Sequence, residues 1–151
     1  FSLVLIAPLS NPDHNDPANW RRSSRSGGSP AGSDISPFPA APAEDNDGDG
    51  FNALTEHFFG TSDGSPASRP DFSVMFDESD ALQIQLRRDA GAQGVGFAFE
   101  TSLDLENWLQ VDSATFVGLQ NEDSGFPSET WLIDPAPQGQ RQFIRIRIQQ
   151  Q

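Results

Sequence analysis

A chain of 151 residues with a formal net charge of −13, no lysine and no cysteine lacks the basic footprint that nucleic acid or an anionic membrane requires, and can form neither disulfides nor thiolate metal sites. Hydrophobic residues make up 35% and the mean hydropathy is −0.50, low for one large core, so a small core with open chain is expected. The 12 prolines and 13 glycines exclude long helices, and the apolar opening LVLIA is too short to span a bilayer or serve as an intact signal peptide.

In chain order, SLVLI at residues 2–6 has strand propensity and meets Pro8, after which turn formers run to Trp20. Because the chain opens at Phe1 directly into that run, it reads as a piece of a longer protein whose targeting signal lies upstream. From Arg21 to Glu44, Ser, Gly, Ala and four prolines cannot bury enough apolar area to offset ordering entropy, so a partly extended linker is expected.

The next stretch, EDNDGDGFNALTEHFFG at residues 44–60, is the most specific signal. Counted from Asp45 as position one, Asp47 is third, Asp49 fifth, Gly50 sixth, Phe51 seventh and Glu56 twelfth, which is the calcium-loop pattern D-x-D-x-D-G-x5-E without a gap. Three carboxylates at alternate positions aim at one centre. Gly50 permits the sharp turn, Phe51 offers its main-chain carbonyl, and Glu56 swings back as a bidentate ligand. Hard oxygen donors without nitrogen or sulfur favour calcium over zinc or copper. With no cation, four carboxylates should repel the loop open. The competing reading, a solvated acidic linker, does not account for the placement of Gly50 and Glu56.

This is expected to be a lone half-hand. SPFPAAPAE, with three prolines in nine residues, cannot form the helix that precedes the loop of a paired hand, and Asn52 stands where a sister loop would want an apolar residue. After the loop, Phe51, Leu54 and Phe58 fall at i, i+3 and i+7, predicting a two-turn exit helix with an apolar stripe that ends at Gly60.

From Phe72 the texture becomes period two: Phe72, Val74, Phe76; then Leu82, Ile84, Leu86; Val95, Phe97, Phe99; Leu109, Val111; Trp131, Ile133; and Ile144, Ile146, Ile148. Six strands separated by turn-rich breaks predict a small antiparallel β-sandwich. The fold class is therefore mainly β: a sandwich over 71–151, preceded by a Pro/Gly-rich linker at 34–43 and a single calcium loop with a short exit helix within 44–63.

These residues carry a resemblance. DNDGDGFNALTEHFFGTSD resembles the dockerin-like or thrombospondin type 3-like calcium segments of large secreted proteins from bacteria such as Verrucomicrobia and Planctomycetes, although Gly60-Thr61-Ser62-Asp63 departs from their usual G-T-D-P ending. FETSLDLENWLQV and the terminal RQFIRIRI look like the small β-domain that often closes those proteins, which implies that Ser102, Asp104, Leu105 and Trp108 shape a turn and pack the core. SLVLI, PANWRRS and GGSPAGSD, within 1–33, are similar to the end of a lamin-tail domain. The resemblance implies a secreted or cell-surface location, with neighbouring domains of the parent protein as partners.

Other chemistry is sparse. His14 and His57 stand apart with no HExxH around them, and there is no G-x-S-x-G elbow, P-loop or dinucleotide fingerprint. No enzyme is expected. Trp108 and Trp131 would be core or edge packing, and Arg145 and Arg147, with Arg87 and Arg88, a solvated face. The rival is a carbohydrate-binding or adhesive module, in which those aromatic and arginine side chains would meet a cell-surface glycan.

Overall fold

A computed structural model describes residues 2–25, 27–30, 32–78, 81–121, 126–134 and 141–151. The protein is mainly β with antiparallel sheets, as expected. Strands β1 (Leu3–Leu5) and β2 (Trp20–Arg22) form a two-stranded ribbon, so the predicted opening strand finds its partner where a loop was expected. The one α-helix among the described residues, α1, runs from Ala53 to Phe59.

Seven strands follow where six were predicted: β3 (Phe72–Phe76), β4 (Leu82–Arg87), β5 (Val95–Ser102), β6 (Leu109–Gln110), β7 (Thr115–Asn121), β8 (Pro127–Ile133) and β9 (Phe143–Gln150). The additional strand is β7. Its register shifts between Phe116 and Gly118 against β8, so Val117 bulges and the apolar alternation is broken where the strand is longest.

The strands form a four-stranded sheet in the order β3-β4-β8-β7 and a three-stranded sheet in the order β6-β5-β9. Both contribute to one core, consistent with a small β-sandwich. Ile84 and Leu86 of β4, Ile133 of β8, and Val95 and Phe99 of β5 are buried together with Phe58 and Phe59 of α1. Between the sheets, Trp131 of β8 meets Phe97 and Phe99 of β5 edge to face at 5.5 and 5.8 Å between ring centroids. Helix α1 is therefore part of the sandwich core.

The segment expected to be an open linker docks on this body through polar contacts. Ser36 bridges to Ala92 and its hydroxyl donates to buried Asp89, both between β4 and β5, while within the segment Asp34 accepts from Arg21 at 2.5 Å and from the main chain of Ser24 at 2.9 Å. Phe38 stacks edge-on against His57, whose Nε2 lies 3.2 Å from the Gln93 carbonyl. Composition correctly excludes a large apolar contribution here. Its error is to equate few apolar contacts with open chain, since Asp34 and Asp89 are held by hydrogen bonds instead.

Candidate metal centre

The acidic loop is shaped by its own side chains. Asp45 accepts from the Gly48 N–H at 2.8 Å and the Gly50 N–H at 3.0 Å, Asp47 from Asp49 N–H at 3.1 Å, and Asp49 from Phe51 N–H at 2.9 Å. Each such bond turns the backbone; both oxygens of Asp45 are engaged in this way, whereas Asp47 and Asp49 each keep Oδ2 without a hydrogen-bond partner. Gly50 sits at φ +96°, a region a β-carbon disfavours. Main-chain bonds from Ala53 to the Glu44 carbonyl (2.8 Å) and from Leu54 to the Pro42 carbonyl (2.9 Å) tie the incoming chain to the helix start. These braces oppose the self-repulsion expected of the loop.

Helix α1 then positions Glu56. Asn52 caps it, its side chain accepting from Thr55 N–H at 3.0 Å, and Gly60 ends it in the left-handed conformation at φ +71°. The face opposite the exposed turn carries Phe58 and Phe59 into the core, and the Phe58 carbonyl accepts from Asp89 N–H at 3.0 Å. That anchorage buries Glu56 in the same turn.

Asp45, Asp47 and Asp49 each present an oxygen within 4.8 Å of the others, a spread that calcium–oxygen distances of about 2.3–2.6 Å can satisfy from a common centre. Glu56 lies outside that trio, yet its carboxylate interacts electrostatically with Asp47, Asp49 and Asp63. Glu56 is 1% exposed, and both its oxygens, with Oδ2 of Asp47 and Oδ2 of Asp49, are buried without a hydrogen-bond partner. Buried acceptors without a partner are rare in a folded protein unless something positive or a proton sits near them. Burial pushes the Glu56 carboxyl up to about 7; hydrogen bonding by Thr61 opposes it and is second only to burial, while repulsion from Asp47, Asp63 and Asp49 adds to the rise. Arg69 brings its Nε to 3.7 Å from Asp49 Oδ2, beyond hydrogen-bonding reach, and is itself largely exposed. The donor set is all oxygen, which fits calcium; Asp45, Asp47, Asp49, Glu56 and the Phe51 carbonyl would hold the ion.

Two participants were not assigned from sequence. Asp63, after the atypical ending, accepts from the main-chain N–H of Asn46 at 3.1 Å and from its side-chain amide, which hold its carboxyl below the usual range. It closes the loop from behind. Arg69 arrives from the connection to β3. Neither role is marked by a local spacing rule.

Elsewhere, the turn implied for 102–108 is present. Ser102 Oγ accepts from Asp104 N–H and Leu105 N–H at 3.2 and 2.9 Å, and Asp104 takes Glu106 N–H and Asn107 N–H at 2.9 and 2.8 Å. Only Ser102 is buried, at 3% exposure; Leu105 is 56% exposed, and Trp108 lies under Arg145 at 4.0 Å on the outer side of the three-stranded sheet. The arginines also separate. Arg145 and Arg147 clasp Glu100 across β5 and β9, while Arg88 engages buried Glu129 on the other sheet. Trp131 faces inward and Trp108 is covered, so the two indoles form no shared platform for a sugar ring.

No protein-family model, curated protein or solved structure matches the chain.

Proposed function

We propose that this is a non-catalytic, calcium-stabilised structural and interaction region of a secreted or cell-surface protein, in which the ion rigidifies the junction leading into the sandwich. The observation that carries the reading is Glu56: a carboxylate buried to 1% exposure, both oxygens unpartnered, facing Asp47 and Asp49 on a loop of calcium spacing. A buried, ionised carboxylate at that position costs several kcal/mol unless a cation or a proton neutralises it. Because the same helix turn supplies Phe58 and Phe59 to the core, an ion held by Glu56 restrains the sandwich as well as the loop. At free calcium about 100-fold above the dissociation constant, linkage contributes roughly 2.7 kcal/mol, a large share of a small domain's stability.

The extracellular assignment rests on the dockerin-like and thrombospondin type 3-like resemblance, and the lamin-tail-like start, 34–43 connection and 44–63 half EF-hand are retained on the same footing. Isothermal titration of calcium into chelator-treated protein tests the function. One site per chain, with Asp47→Ala weakening it at least tenfold and magnesium binding more weakly, is the expected result; no heat and no shift in melting temperature between calcium and chelator overturns it.

A further inference from the structure

The acidic loop carries a counter-charge at its edge. The side chain of Asp49 is fully shielded from solvent, at 0% exposure, and its Oδ2 has no hydrogen-bond partner. Arg69 approaches that oxygen with Nε at 3.7 Å, inside ion-pair range and outside hydrogen-bonding range. Its Nε hydrogen goes instead to the Pro66 carbonyl at 3.2 Å, so the guanidinium is placed by its own turn and not by Asp49. With 59% of its side chain exposed, Arg69 keeps most of its hydration and can swing away. One such charge does not answer the whole site: both oxygens of Glu56 and Oδ2 of Asp47 remain buried without a partner.

We propose that Arg69 sets the affinity of the candidate calcium site, as a tethered cation that stabilises the empty loop and that an arriving ion repels; the inference rests on the calcium reading above. Without an ion, Asp45, Asp47, Asp49 and Glu56 present up to four negative charges, all of which attract Arg69. Calcium cancels half of that charge, so the guanidinium favours the empty state over the loaded one. The size follows from distance. Calcium stands about 2.3–2.6 Å from a ligand oxygen, so an ion held by Asp49 Oδ2 would lie within about 6 Å of Arg69. Because Arg69 is largely exposed, a water-like dielectric applies. Two charges against one at about 6 Å then change the binding constant about tenfold without salt and about threefold at about 0.1 M, where the screening length is about 10 Å. A guanidinium here trades tight binding for an empty loop that stays folded.

The experiment is isothermal titration of calcium into the chelator-treated full chain at about pH 8 and about 0.1 M salt, for the wild type, Arg69→Lys, Arg69→Gln and Arg69→Glu. Affinity within about twofold of wild type for lysine, about threefold tighter for glutamine and about tenfold tighter for glutamate is the expected result, with the differences closing at about 1 M salt. Melting temperature in chelator should move the opposite way, falling from arginine to glutamine to glutamate. Arg25→Glu, in the exposed turn after β2, makes the same change in net charge and should leave affinity within about twofold of wild type. Calcium binding that does not vary across the Arg69 series overturns the proposal and leaves the calcium reading standing. So does weaker binding by the glutamine and glutamate variants, a change that salt does not screen, or an equal effect of Arg25→Glu. Absence of binding by the wild type overturns both, and a lowered chelator melting temperature for Arg69→Gln would then make Arg69 the resident cation of the loop.

Discussion

Replacing Glu56 with glutamine should stabilise the calcium-free protein and destabilise the calcium-bound one. The carboxyl is raised from 4.5 to about 7, so between those values the native state keeps a proton that the unfolded chain has released. Calcium-free stability attributable to this group therefore increases as pH falls through that window and is fully lost above about pH 7. A rise from 4.5 to about 7 corresponds to about 3 kcal/mol, the cost of holding the buried charge at about pH 8. Glu56→Gln removes that cost while keeping the shape. Urea unfolding followed by fluorescence of inward-facing Trp131 should show the variant up to about 3 kcal/mol more stable than the wild type in chelator at about pH 8, with the difference closing towards about pH 4.5. In saturating calcium the order reverses, because the variant loses a bidentate charged ligand and its affinity falls by about 100-fold or more. A variant that is less stable than the wild type in chelator at about pH 8 would show that Glu56 is satisfied by the protein itself, and the case for a cation there would fail.

Two glycines separate strain from crowding. A β-carbon at Gly60 would approach Phe126 to 2.5 Å and Asp89 to 3.0 Å at φ +71°, so Gly60→Ala should lower the unfolding free energy by about 2–3 kcal/mol in chemical denaturation, with or without calcium. Gly50, at φ +96° with no atom near its missing β-carbon, carries only the conformational penalty; Gly50→Ala should cost about 1 kcal/mol, read as an approximately fivefold loss of calcium affinity by titration. Leu105 is a non-glycine residue at φ +67° and is 56% exposed, so Leu105→Gly should raise the melting midpoint by relieving strain, worth about 0.5 kcal/mol after the entropic cost of glycine.

What could be read from the sequence divides by the range of the interactions involved. Leu82, Ile84 and Leu86 announce β4 because a central strand with one face on the core must alternate, and 45–56 offers a candidate metal loop because every candidate ligand lies within one local pattern. Thr115–Asn121 is hidden by the bulge at Val117, which places neighbouring apolar residues out of phase. The docking of 34–38 is hidden for a different reason: the bonds of Asp34 to Arg21 and of Ser36 to Asp89 join polar residues that composition counts as solvated. At the candidate site, spacing identifies Glu56, but its isolation from water comes from the packing of Phe58 and Phe59 against strands that begin far along the chain.

The same contacts bear on what an ion held by the acidic loop would do. A junction between two independent modules would leave the loop free to hinge, and an ion would then set only a relative orientation. Here the residues on either side of Glu56 are committed to the sandwich: the Phe58 carbonyl takes the Asp89 N–H, Asp89 holds Gly91 N–H at 2.7 Å and the Ser36 hydroxyl, and Ser36 returns its own N–H to the Gly91 carbonyl at 2.9 Å. A shift of the backbone that carries Glu56 would move α1, and with it the buried rings. The loop's affinity and the sandwich's stability are therefore one coupled quantity, and linkage requires that a core substitution such as Phe58→Ala, costing about 3–5 kcal/mol, also weaken calcium binding through the unfolded fraction it creates. If calcium affinity stayed unchanged where that variant is partly unfolded, loop and sandwich would be independent.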